Sequence, residues 1–321
     1  MTRGSTYRAV QLLGSISPGK CVSFDENSWE LTLSNFQDSE DESEIVLYRN
    51  IARVLDGQHR LAGLENMDEE FDLNVSIFVD ADIADQASIF STVNLAQTKV
   101  NKSLAYDLYD LMKSRSPQKS CHNIAVTLDR EEGSPFYKMI KRLGMATEGR
   151  KGETLTQATF IEPLLRYISA NPMGDRDTYL RGKTPKKVDY ELLSKHPFQH
   201  MFVDAKDFQI TDIVWNYFDA VREKWPASWN SRDKGIMLNR TNGYRAFMRF
   251  LRPLYLRIAT PGEVPSKESF LEILNNTTLT DEDFNVRDFA PGSTGEGELY
   301  RTLMAQTETL EPKNLRQTSM I

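Results

Sequence analysis

Two cysteines, Cys21 and Cys121, and four histidines are all that 321 residues contain of these types. Neither cysteine has a Cys-x-x-Cys neighbour, so neither a disulfide framework nor a zinc site is indicated, and a reducing cytoplasm is the expected setting. No run of about 18 apolar residues occurs, and Met1 to Val10 lacks the apolar block that follows the basic start of a signal peptide. Membrane spanning and export are therefore not expected. Basic charge is missing locally too. Between Leu61 and Thr98 there is no Lys or Arg, while Glu65, Asp68, Glu69, Glu70, Asp72, Asp80, Asp82 and Asp85 are acidic, which predicts a strongly negative surface there. A net charge of −7, from 39 basic and 46 acidic residues, argues against a wholly basic nucleic-acid-binding protein.

The length suits two domains of about 100–200 residues each. The expected fold class is α+β, with residues 1–115 as a mixed first domain and 116–321 as a mostly helical second one. Ile45 to Leu55 is rich in β-branched and aliphatic residues, Asp56-Gly57 breaks it, Leu61 and Leu64 give helical spacing, and Leu73 to Val79 alternates as a strand does. The result is a strand, turn, helix, strand unit. A helix over Asp82 to Asn94 and another marked by Leu104, Leu108 and Leu111, capped by Ser103, follow. Beyond 115 the spacing predicts helices over Pro135 to Leu143, Thr156 to Ala170, Asp212 to Lys224, Ile236 to Ile258, Lys267 to Asn275 and Gly297 to Leu310. Asn171 to Lys187 and Phe289 to Gly297 read as long polar loops.

The strand-to-helix turn carries the chemistry. The first N–H groups of a helix are unpaired, and with the helix dipole they attract an anion such as phosphate. Gly57 allows close backbone approach, Arg60 can fork onto two phosphate oxygens, and His59 can donate a hydrogen bond or move a proton near neutral pH. Asp56 can hold a metal or orient Arg60, and Gln58 can position a base, a sugar or a water. The purely structural alternative has Asp56 capping the helix, Gly57 easing the turn and Arg60 pairing with Glu65.

The string from Val54 to Leu64, Val-Leu-Asp-Gly-Gln-His-Arg-Leu-Ala-Gly-Leu, resembles the signature of DGQHR-domain proteins, which include the DndB family associated with DNA phosphorothioate modification. The stretch Ile89 to Leu104, with Asn94, Gln97 and Lys99, resembles that family's second block. The resemblance covers Ile45 to Leu111. More distantly it extends to the ParB and sulfiredoxin superfamily, whose turn contacts nucleotide phosphates. It implies a ParB/sulfiredoxin-like first domain in which Gly57, Gln58, Arg60, Asn94, Gln97 and Lys99 bind phosphate or nucleotide. Asp56 and Asn94 would orient a metal, and His59 and Asp56 would be the catalytic candidates. Sulfiredoxin-like proteins place a cysteine in the turn; this chain has Gln58, so thiol chemistry is not expected. A nucleoside triphosphate with Mg2+ is the candidate cofactor. DNA and other modification or antiphage-defence proteins are the candidate partners, with oligomerisation open. Three readings remain: a DNA-binding regulator, an NTP-hydrolysing or nucleolytic component of a defence complex, or a purely structural partner that docks through the acidic face between Leu61 and Thr98.

Basic charge returns in the second domain, where a polyanion should therefore meet the chain. Arg181, Lys183, Lys186 and Lys187 cluster in one loop, and Arg245, Arg249 and Arg252 fall at i, i+4 and i+7 on a helix that Pro253 should kink or end. These six cationic positions, from Lys183 to Lys187 and along the arginine stripe, are candidate nucleic-acid contacts. The stripe reads equally as a solvated face, or as arginines paired with carboxylates of the acidic first domain. Pro291 to Gly297 resembles a phosphate loop but lacks the Gly-Lys-Ser/Thr ending, and reads as a flexible lead into the last helix. Trp215, Trp225 and Trp229 are expected in the core.

Overall fold

The computed structural model describes residues 11–16, 22–25, 27–28, 30–33, 52–64, 73–79, 81, 85–87, 89–90, 102–109 and 113–308. The chain divides into two compact units, Met1–Thr98 and Lys99–Ile321. It mixes helix and strand, in keeping with the α+β class.

In the first unit, strands β1 (Gln11–Ile16), β2 (Val22–Asp25), β3 (Glu30–Leu33), β4 (Ala52–Asp56) and β5 (Asn74–Val79) accompany helix α1 (Gln58–Leu64). β2 and β3 pair antiparallel as a hairpin, with Asp25 opposite Glu30. Asp25 Oδ1 accepts the Asn27 backbone N–H at 2.8 Å, and such bonds hold this carboxyl below its ordinary range. The expected strand, turn, helix, strand order is present, but β4 and β5 do not pair with each other. β1 lies between them, antiparallel to β4 and parallel to β5. Leu13 faces Asp56, and the β1–β4 register shifts between Leu13 and Gly14, beside the end of β4 that carries the turn. Residues 85–87 and 89–90 are helical; the rest of the helix expected over 82–94 lies outside the described residues.

The second unit holds α2 (Lys102–Leu108), α3 (Pro117–Arg130), β6 (Ile140–Lys141), β7 (Leu155–Thr156), α4 (Gln157–Ile168), α5 (Pro172–Leu180), α6 (Tyr190–Leu193), α7 (Gln199–Val203), α8 (Asp207–Lys224), α9 (Pro226–Asn230), α10 (Thr241–Ile258), α11 (Lys267–Leu274) and α12 (Ser293–Gln306). The sequence boundary at 115 would assign α2 to the first domain, whereas α2 packs on α3 and α4 with Tyr106 and Tyr109 buried. Ser103 does not cap its own helix. It is buried within α2 and its Oγ accepts the Ala158 N–H at 3.0 Å, satisfying a donor in the first turn of α4.

Buried aromatics organise this unit. Phe136 meets Phe160, Phe218, Trp229 and Tyr244 edge-on, with ring centroids 4.8 to 5.8 Å apart. Each polar tip finds a main-chain carbonyl: Tyr244 donates to Phe160 O at 2.9 Å, Tyr217 to Phe247 O at 2.9 Å, Trp229 to Pro135 O at 3.0 Å and Trp225 to Leu279 O at 2.8 Å. Burial pushes the Tyr217 and Tyr244 hydroxyls well above the ordinary phenol range, so they serve as neutral donors.

Three expectations fail for identifiable reasons. Residues 135–143 form turns and β6 rather than a helix, because the fully buried Asp129 carboxylate accepts the Ile140 N–H at 3.0 Å and Arg150 Nη1 at 2.6 Å. The loop expected over 171–187 begins instead with α5, since Asn171 Oδ1 caps Gly174 N at 3.1 Å and Pro172 sits at the first helical position. Pro253 neither ends nor splits α10, which continues to Ile258 with Leu251, Pro253, Leu254 and Tyr255 buried. Packing on that face offsets the missing hydrogen bond.

The glycine-rich stretch at 291–297 is not a flexible lead: α12 starts at Ser293, and a Cβ on Gly295 would lie 1.9 Å from Ala290 O. Gly63, inside α1, has nothing within 4 Å of its Cβ position. Gly295→Ala should therefore destabilise the second unit by about 1–3 kcal/mol, and Gly63→Ala should stabilise the first by roughly 0.5–1 kcal/mol. Urea titration of both variants checks this; equal midpoints would contradict it.

Candidate functional site

β4 delivers Asp56 to the edge of the turn. Gly57 follows, buried and with φ of 101°, a conformation L-residues rarely adopt. α1 begins at the next residue, and its first described backbone bond runs from Leu61 N to Gly57 O at 3.1 Å. The N–H groups of Gln58, His59 and Arg60 thus precede the helical ladder, as an anion cradle requires. The Gln58 and His59 side chains are exposed, and Asp56 is half-buried with an interaction of its own. Gln58 Nε2 reaches back to Val54 O at 3.5 Å, the outer limit of a hydrogen bond. The Arg60 backbone belongs to α1, while its side chain lies outside what the structure describes. Asn94, Gln97 and Lys99 also lie outside the described residues.

Among the described residues no group of three or more His, Cys, Asp or Glu side chains is arranged to hold a metal, and Asp56 belongs to none. No described helix is long and apolar enough to cross a membrane.

No family model, curated protein or solved structure matches the chain.

The six basic candidates of the second unit have unequal surroundings. Arg245 Nη2 lies 3.3 Å from Glu162, which also takes Lys102 Nζ at 2.6 Å, so one carboxylate from α4 is shared by two cations at this end of the stripe. Arg249 instead stacks over the Tyr300 ring, 4.3 Å from its centroid, with Nη1 3.6 Å from Glu296. Arg252 is half-buried one turn further on. Lys187 pairs with Asp204 at 2.8 Å, while Lys183 and Lys186 are exposed. Their connector is pinned to α7: Gln199 donates to Lys186 O at 2.9 Å and accepts from Val188 N at 3.1 Å.

Two groupings have no sequence signature. Asp107 of α2 takes Arg142 at 3.3 Å and lies 3.8 Å from Nδ1 of the buried His122. These residues come from separate elements, so no spacing marks them. Asp107 and Arg142 line a cavity of about 510 Å³ with Leu143, Met145 and Arg150. Arg166 and Lys195, on α4 and on the connector before α7, share a second cleft with Arg249 and Arg252. The remaining histidines are structural: His196 and His200 bond the carbonyls of Arg166 and Val188 at 2.6 and 2.8 Å. Cys121 is fully buried, and burial raises its thiol pKa, which removes it as a nucleophile.

Gly57→Ala places a Cβ at a positive φ in a buried position, costing on the order of 1–3 kcal/mol in the first unit. Hydrogen exchange of the α1 amides should accelerate in this variant; unchanged protection would show that the turn carries no such constraint.

Proposed function

We propose that the chain binds a phosphate group, of a nucleotide or of the DNA backbone, at the Asp56–Arg60 turn and acts as a DNA-binding regulator. The resemblance of this turn to DGQHR-domain and DndB-like proteins supplies the setting: a cytoplasmic DNA-modification or antiphage-defence system, with a ParB/sulfiredoxin-like first unit. The observation that carries the reading is the junction itself. A buried glycine in the left-handed region joins the strand to the helix without a spacer, and the Gln58 and His59 side chains stand exposed at the helix start. In this reading the early amides and Arg60 hold phosphate oxygens, Gln58 and His59 donate to the same group or its sugar, and Asn94, Gln97 and Lys99 complete the contacts. Asp56 orients Arg60 and so keeps its guanidinium aimed at the anion.

Binding of this kind requires only hydrogen-bond donors at the turn. Arg60→Ala should weaken binding to a short duplex or to ATP about tenfold, as loss of a charge-assisted hydrogen bond does. It should also lower the salt slope of duplex binding by about one. Anisotropy titrations at several salt concentrations read both; unchanged affinity in Arg60→Ala would overturn the proposal.

A further inference from the structure

The cleft between α4, α10 and α12 gathers cations from four places in the sequence. Arg166 extends from α4, Lys195 from the connector before α7, and Arg249 and Arg252 from successive turns of α10. Pro163 and Tyr300 complete its walls, and its free volume is about 180 Å³. Arg249 pairs with Glu296 at a loose 3.6 Å, and Arg252 has an interaction of its own. Neither Arg166 nor Lys195 forms an ion pair with a described residue. Arg249 is held over the Tyr300 ring, which fixes the plane of its guanidinium before any ligand arrives.

Arg301 of α12 lies near the same arginine of α10: a Cβ on Gly297 would be 3.5 Å from Arg301 Nη1 and 3.9 Å from Arg249 Nη1, both ordinary contact distances. Like charges converging in a partly enclosed space repel, and an anion entering the cleft converts that repulsion into attraction. Guanidinium forks match phosphate oxygens in pairs. A cleft of 180 Å³ is smaller than the roughly 300–1,000 Å³ of sites that enclose a drug-sized molecule, so it takes one or two phosphate groups and leaves a base or sugar outside.

We propose that this cleft is a second anion site, independent of the Asp56–Arg60 turn, that binds a phosphate or pyrophosphate group through Arg166, Lys195 and Arg249. The phosphate belongs to a small phosphorylated ligand or to a nucleic-acid backbone, and the two sources are separable by experiment. The full-length protein is titrated calorimetrically with inorganic pyrophosphate, and a short DNA duplex is followed by anisotropy over a range of salt. The double variant Arg166→Ala/Lys195→Ala removes two partly exposed side chains and should keep its circular dichroism. Arg245→Ala, on the same helix but outside the lining of the cleft, is the control.

A loss of about tenfold or more in pyrophosphate affinity, confined to the double variant, establishes the site for a small phosphate ligand. A loss confined to the duplex, with a salt slope smaller by about two, assigns it to DNA backbone phosphate. Equal affinity of wild type and double variant for both probes overturns the proposal. So does an equal loss in Arg245→Ala, which would reduce the effect to overall charge, or a wild type that binds neither probe. Arg60→Ala, measured alongside, reports on the turn separately, so failure of either site leaves the other result standing.

Discussion

Phe136 and the rings around it set the arrangement of the second unit. Phe160, Phe218, Trp229 and Tyr244 come from α4, α8, α9 and α10, so a single buried residue fixes the mutual placement of four helices. Apolar burial alone would leave these helices free to slide, since it is roughly proportional to area and has no direction. Direction comes from the tyrosine and tryptophan tips. Each is donated to a backbone carbonyl of a different segment, and a buried donor that lost its acceptor would carry a penalty of about 1–3 kcal/mol.

The same core explains the irregular backbone that feeds it. For Phe136 to enter the cluster, the chain after α3 must turn sharply, and the buried Asp129 holds that turn through Ile140 N and Arg150. A carboxylate with no exposure is tolerated because its oxygens accept these bonds, one of them charge-assisted. α10 then carries two chemistries on opposite faces. Its Phe247, Leu251 and Leu254 face fills the core, while Arg245, Arg249 and Arg252 are left on the other, where α4 and α12 decide the fate of each charge. Glu162, shared with Lys102, faces the first, and Tyr300 orients the second within a cleft that also takes cations from elsewhere.

The first unit is built on a different constraint. β1 lies between β4 and β5, and its register shift falls where β4 ends and the chain enters the turn. A glycine at φ of 101° is what permits the immediate change from strand to helix. Proposed phosphate binding at this turn and in the cleft of the second unit relies on distinct physics: backbone amides with one arginine in the first, converging side-chain cations in the second.

Several features were determined by sequence alone because they depend on neighbours in the chain. The Asp56-Gly57 break, the helix after it, α4, α8, α10 and α11, and the buried positions of Trp225 and Trp229 all follow from local periodicity and turn chemistry, whereas Trp215, expected in the core by the same pattern, is only half-buried. Tertiary structure decided what depends on distant partners. β1 between β4 and β5, α2 within the second unit, the turn at 135–143, and the unequal roles of Arg245 and Arg249 have no local signal. The turn at 135–143 rests on Asp129 and Arg150, and the others on partners dozens of residues away, as Ser103 does on Ala158 and Arg245 on Glu162. Arg166 and Lys195 sit singly on separate elements, so their cleft exists only after helix packing has brought four separate charges together. Spacing records which residues share a helix face; only packing decides which faces meet.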